Sequence, residues 1–179
     1  MTTSAPTPEP CGLSAEEEHA WRSYTASTQL VSYALDRRLQ RDAGMSHLYY
    51  HLLLILSEAP GRRLRMGELA QRLNITRTRL SHAVSRLEEQ GWVARETVAD
   101  ELRGRLAVLT DDGVRTIADA APGYTAQIRA AVFDRLTPEQ VTSLAEIFDI
   151  IGQGLPPAHG SHPPADLARR GPEVGTRDR

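Results

Sequence analysis

The sequence has no lysine: all 21 of its basic residues are arginine. A lysine Schiff base is therefore excluded as a catalytic device. Cysteine occurs once, at Cys11, so no intramolecular disulfide can form. Long hydrophobic runs are missing too. The longest is LLLIL at 52–56, far short of the roughly 20 residues a membrane span needs. The first residues, MTTSAPTPEPCG, have neither a basic region nor an apolar stretch, so no secretory signal is expected and the cytoplasm is the expected compartment. There are no internal repeats. No nucleophile–base motif, phosphate loop or paired-carboxylate constellation is evident, which argues against an enzyme, and nothing calls for a cofactor.

What remains is ordinary in bulk and uneven in detail. The 179 residues are 40% hydrophobic and 25% charged, with a net charge of −2. That suits one domain with a real core. Between positions 62 and 105, however, ten arginines face six acids, so the middle of the chain is basic and the remainder acidic. Local charge of this kind matters more to a partner than the total.

Residues 1–12 are rich in Pro, Thr and Ser without periodicity, and a disordered tail is expected there. Ser14-Ala15-Glu16-Glu17 spells a capping box, opening a helix to about Gln40 whose stripe is Trp21, Tyr24, Thr28, Val31 and Leu35. Gly44 breaks it. Ser46 caps a second helix, HLYYHLLLILSE, apolar on almost every side and expected to be buried all round. A very short strand is expected at Leu64-Arg65. Two close-set helices then follow, residues 67–73 and 76–90, turned at Asn74-Ile75, the second capped by Thr76 and stopped at Gly91. Strands at 92–98 and 105–109 flank a Gly-containing turn and form a hairpin. Thr110-Asp111-Asp112 opens a helix expected to reach Arg135, with a possible kink at Pro122. Thr137-Pro138-Glu139-Gln140 caps the last helix, with Val141, Leu144, Phe148 and Ile151 as its stripe. From Gly154 the pattern dissolves into Pro, Gly, Arg and His, read as a second disordered tail over 154–179.

The 76–90 helix carries the chemistry. At 100° per residue, Leu80, Ala83, Val84 and Leu87 share one side. The opposite side holds Thr78, Ser81, His82, Ser85 and Glu89, with Arg77 on one flank and Arg79 and Arg86 on the other. Small hydroxyls let a helix sit deep in a major groove and bond to base edges. Flanking guanidinium groups reach phosphates on both sides. The helix start at Thr76 can receive a phosphate. Arg103 at the hairpin tip suits a minor groove, with Arg105 and Arg95 steadying the hairpin on the backbone. The plain alternative is a solvated basic face without a ligand. Helix-turn-helix, groove-facing hydroxyls and basic hairpin agree against it.

The stretch LRMGELAQRLNITRTRLSHAVSRLEEQGWVARE, followed by ELRGRLAVLTDDG, resembles the MarR family of winged-helix transcription regulators. The likeness runs from about Leu13 to Ile151. It rests on Leu87-Glu88-Glu89-Gln90-Gly91, Glu101-Leu102-Arg103 and Leu109-Thr110. The resemblance implies a mainly α fold with a small β-hairpin wing over 13–153: a winged helix-turn-helix domain (46–110) flanked by dimerisation helices (14–40 and 111–153). It implies a homodimer reading pseudo-palindromic double-stranded DNA, usually as a repressor. It also implies release by a small aromatic or phenolic effector, with Trp21, Tyr24, Tyr50 and His51 as candidate lining residues. Plain core packing is the competing reading for each. Two departures from the family pattern stand out. His82 replaces a frequent Arg, and Glu101 with Leu102 alters the wing.

His47 and His51 are one helical turn apart, a spacing that can chelate a metal, and His19 is a further candidate, but no third strong ligand is evident. Cys11 has no nearby basic residue to activate it as a redox sensor. A winged-helix protein-interaction module without DNA binding is the alternative function.

Overall fold

In the computed structural model, residues 12–97 and 105–155 are described. The first helix, α1, spans Ala15–Ala43. Ser14 Oγ accepts from the Glu17 amide at 3.2 Å while the Glu17 carboxylate accepts from the Ser14 amide at 2.7 Å, the expected capping box. Gly44 ends α1 at φ +62°, a conformation that costs glycine little. The helix thus runs three residues past the expected Gln40.

Helix α2, His47–Glu58, starts on Ser46, whose hydroxyl accepts from the Tyr49 amide. It is not buried all round, as its composition suggested. Tyr50, Leu52, Leu53 and Leu56 are buried, but His51 and Glu58 are exposed. Helix α1 and the elements that follow in the chain enclose much of it, and the side bearing His51 opens on a cleft.

Strand β1 is Arg63–Arg65; helices α3 (Met66–Arg72) and α4 (Arg77–Glu89) follow. Asn74 makes the turn between them at φ +51°, and the Ile75 amide returns to the Ala70 carbonyl. Strands β2 (Val93–Thr97) and β3 (Arg105–Leu109) form the hairpin. The antiparallel sheet has order β1-β3-β2, with Ala107 facing both Leu64 and Arg95. Ala107 is fully buried, so the short strand β1 anchors the wing base to the core.

Thr110 joins wing to α5 (Asp111–Ala131): its hydroxyl donates to the Gly91 carbonyl and accepts from the Gly113 amide. The helix continues through Pro122 but stops before Arg135. Val132 leaves helical dihedrals, and a 3-10 turn covers Phe133–Arg135. Helix α6, Pro138–Gly154, opens on the Thr137–Gln140 capping box and runs through Gly154, into the segment expected to be tail. The expectations of disorder at 1–11 and 156–179 lie outside the described residues.

The core lies under the winged part: Leu52, Leu53, Leu56, Leu69, Leu80 and Leu87 meet there. Leu39 from α1 and Ile117 from α5 close it from the other side. Helix α6 buries no residue, and Leu30 of α1 and Ile150 of α6 are each 70% exposed. None of the described helices is long and apolar enough to cross a membrane.

Candidate nucleic-acid interface

Helix α4 is held by one face. Leu80, Ala83, Val84 and Leu87 are buried, as the spacing predicts. Thr76 Oγ caps the helix by accepting from the Arg79 amide at 3.2 Å. Thr78, Ser81 and His82 stand exposed between Arg77 on one flank and Arg79 and Arg86 on the other. Arg86 donates to Glu89 at 2.8 Å, and that bond and charge raise its pKa. The pair is exposed, so a phosphate can take Glu89's place at little cost.

Two residues differ from expectation. Ser85 is half-buried, and its hydroxyl accepts from Arg95 Nη2 at 3.0 Å. Arg95, expected to steady the hairpin on a nucleic-acid backbone, instead turns inward. Its Nη2 also donates to the Ser81 carbonyl at 2.9 Å, and its Nη1 lies 3.0 Å from Glu88 Oε2. The hairpin folds back over α4, so its inner side chains meet the helix before they can meet a ligand. Arg103, with Glu101 and Leu102, lies outside the described residues.

Beside α4 an open cleft of about 500 Å³ collects Arg65, Gln71, Arg77, Ser81, Arg95 and Arg105. Arg105 is exposed at the start of β3. Arg65 joins this cleft from β1; the polar–apolar–polar alternation of Arg63-Leu64-Arg65 is the sequence signal that turns it outward, and the structure shows it exposed. Arg72, at the end of α3, is tied to Glu68 at 2.7 Å.

The four aromatic candidates fall into two groups. Trp21 and Tyr24 pair on α1 with ring centroids 5.7 Å apart, and Tyr24 meets Phe148 of α6 at 6.1 Å. Tyr50 packs on Tyr124 of α5 at 4.5 Å, and His51 stacks on His47 at 6.2 Å. His47 also stacks on Tyr124, and its Nε2 lies 3.0 Å from the Tyr124 hydroxyl. Tyr124 is 77 positions from His47, so no local pattern joins them. Burial lowers the His47 pKa, His51 adds to this, and Asp36 opposes it. Partial desolvation where its ring stacks on His47 likewise lowers His51, with Glu58 opposing, and burial raises Tyr50 and Tyr124. A second cleft, about 740 Å³, runs past this group and includes Tyr33, Asp36, His47, Tyr49, His51 and Arg79. Among the described residues no three His, Cys, Asp or Glu converge as metal ligands, and His19 stands exposed on α1.

A helix-turn-helix, a β-hairpin packed on its second helix and a basic outer face define a winged-helix protein. The MarR family profile matches residues 43–104. Sco3205 of Streptomyces coelicolor, a MarR family transcriptional regulator whose structure was solved in complex with DNA, is 55% identical; the match covers 84% of this chain and 94% of that one, with TM-score 0.78. AbsC of the same organism, also a MarR family transcriptional regulator, is 34% identical over 79% of this chain and 95% of its own, with TM-score 0.74. The transcriptional repressor YetL of Bacillus subtilis is 27% identical over 110 residues, 59% of this chain and 65%, just under two thirds, of its own length. The chain belongs to the MarR family.

Proposed function

We propose that this protein is a sequence-specific DNA-binding regulator of transcription that grips a pseudo-palindromic duplex as a homodimer and acts as a ligand-responsive repressor. The observation that carries the reading is the exposed face of α4. Thr78, Ser81 and His82 stand outward between arginines on both flanks, in a chain 55% identical to a regulator crystallised with DNA. In this reading Arg77, Arg79, Arg86 and Arg105 contact phosphates, and the start of α4 at Thr76 presents its amides to another. Thr78, Ser81 and His82 read bases. Ser85, half-buried and already accepting from Arg95, keeps its hydroxyl proton and one lone pair for a base. Arg103 enters the minor groove. An imidazole can accept as well as donate, so His82 sets a base preference different from that of arginine.

The uncovered apolar faces of α1 and α6 support the homodimer, since a free protein rarely exposes so much apolar surface. The cleft along His47, His51, Tyr33 and Arg79 is the place for a small aromatic or phenolic effector, because it lies between α1, α2 and the first turn of α4. Tyr50, buried on Tyr124, supports that wall from behind. Trp21 and Tyr24, grouped with Phe148, belong with the subunit contact rather than with the cleft. The repressor role is supported by the likeness to YetL.

The test is selection of duplexes from a random pool, followed by affinity measurements over a salt series. A pseudo-palindromic consensus and a steep fall of affinity with salt are expected. Equal affinity for consensus and random DNA at moderate salt would overturn the reading in favour of a protein-interaction module. Replacing Arg103 by Ala should weaken binding without changing the folded structure; unchanged affinity counts against the minor-groove role.

A further inference from the structure

We propose that Arg95 is a positioning residue, which clasps one stripe of α4 from β2 and so sets where the wing stands relative to the groove-facing helix. Ser81, Ser85 and Glu88 lie at i, i+4 and i+7, a single line along α4. Arg95 engages all three: Nη2 holds the Ser81 carbonyl at 2.9 Å and the Ser85 hydroxyl at 3.0 Å, and Nη1 holds Glu88 at 3.0 Å. A planar guanidinium can span these acceptors with two nitrogens, whereas an ammonium is a single point. The side chains of Arg95 and Glu88 are only 23% and 29% exposed, so the ion pair is shielded from solvent. Arg95 Nε is buried with no hydrogen-bond partner among the described residues. Both terminal nitrogens of the guanidinium are thus committed to the helix.

The strand position gives the clasp its leverage. Arg95 faces Ala107 of β3, and directly opposed residues share a face of the sheet, so the small alanine leaves room for the guanidinium to reach α4. β2 ends two residues later at Thr97, and β3 resumes at Arg105. Holding Arg95 therefore holds the base of the hairpin that carries residues 98–104. A wing already set against α4 loses less freedom when DNA arrives.

The consequence for DNA rests on the proposed function; the clasp itself does not. Full-length Arg95→Gln, Arg95→Lys and Ser85→Ala should be compared with wild type by amide hydrogen exchange in the free protein. Exchange in β2 should rise at least tenfold in Arg95→Gln and less in the other two, with α2 and α5 unchanged. On the duplex that wild type selects, Arg95→Gln should bind roughly tenfold more weakly. Its footprint should shrink on the wing side and persist beneath α4. Unchanged exchange in β2 would overturn the proposal. So would a uniform rise across α2, α4 and α5 with a lower melting temperature, which marks a merely structural residue. A wild-type protein that selects no duplex defeats the DNA reading, and the exchange data still decide the clasp.

Discussion

The winged region and the helical arms solve the same physical problem differently. Between α2 and β3 the chain closes its own core: Leu52, Leu53, Leu69, Leu80 and Leu87 are solvent-free. In the arms, α6 buries nothing, and Leu30, Tyr33, Ile147 and Ile150 are more than half exposed. The amphipathic patterns of α4 and α6 look alike in sequence. What differs is that α4 finds α3 and the sheet within reach, while α6 finds no such enclosure among the described residues. An apolar stripe reports that a helix needs a partner, not where the partner comes from.

The largest test of this contrast is in the winged core. Leu80→Ala should lower the unfolding free energy by about 3 kcal/mol at every protein concentration, measured by urea denaturation. A loss under about 1 kcal/mol would mean that the core tolerates a void there. In the arms, Ile147→Glu combined with Ile150→Glu should leave the winged part folded and weaken self-association by about 2 kcal/mol, roughly thirtyfold. Sedimentation equilibrium measures it; unchanged association would place the subunit contact elsewhere. Arg77→Ala probes the face that remains polar by design. Affinity for a selected duplex should drop roughly fivefold and the salt slope by about one, uniformly across sequences. A loss confined to one base position would make Arg77 a base reader.

The smallest effect lies at the joint between the two regions. Burial, then His51, hold the pKa of His47 below its ordinary value of 6.5, with Asp36 opposing. The unfolded chain binds the proton more readily, so stability is full above about pH 6.5 and is lost as pH falls through the folded pKa. Asp36, His51, Glu58, Arg79 and the tyrosines Tyr33, Tyr49, Tyr50 and Tyr124 are among the other charged or titratable groups around this joint. Urea midpoints should fall between pH 7.5 and 5.5, and less so in His47→Gln. Equal slopes in both proteins would remove His47 from the account.

Much of the fold is legible in short sequence windows because caps, turns and helix periods are local. The capping boxes at Ser14 and Thr137, the Thr76 cap, the turn at Asn74 and the stop at Gly91 all fall where residue chemistry puts them. The candidate site was legible in part. The outward face of α4 follows from spacing, but Arg95 turned inward and Ser85 became its acceptor, which no spacing rule anticipates. The pairing of His47 with Tyr124 was equally hidden, because it joins α2 to α5.

Local residue chemistry alone fixes where the capped helices start, which side of α4 is apolar and that positive charge gathers mid-chain. Those properties depend on neighbours within one or two helical turns. Contacts between distant segments settle which arginines are spent on the protein's own carboxylates and carbonyls and which still face outward. Arg95 and Arg77 are the same residue type in the same basic stretch. The hairpin's return over α4, a contact between distant segments, folds one of them inward against Ser81, Ser85 and Glu88 and leaves the other at the surface.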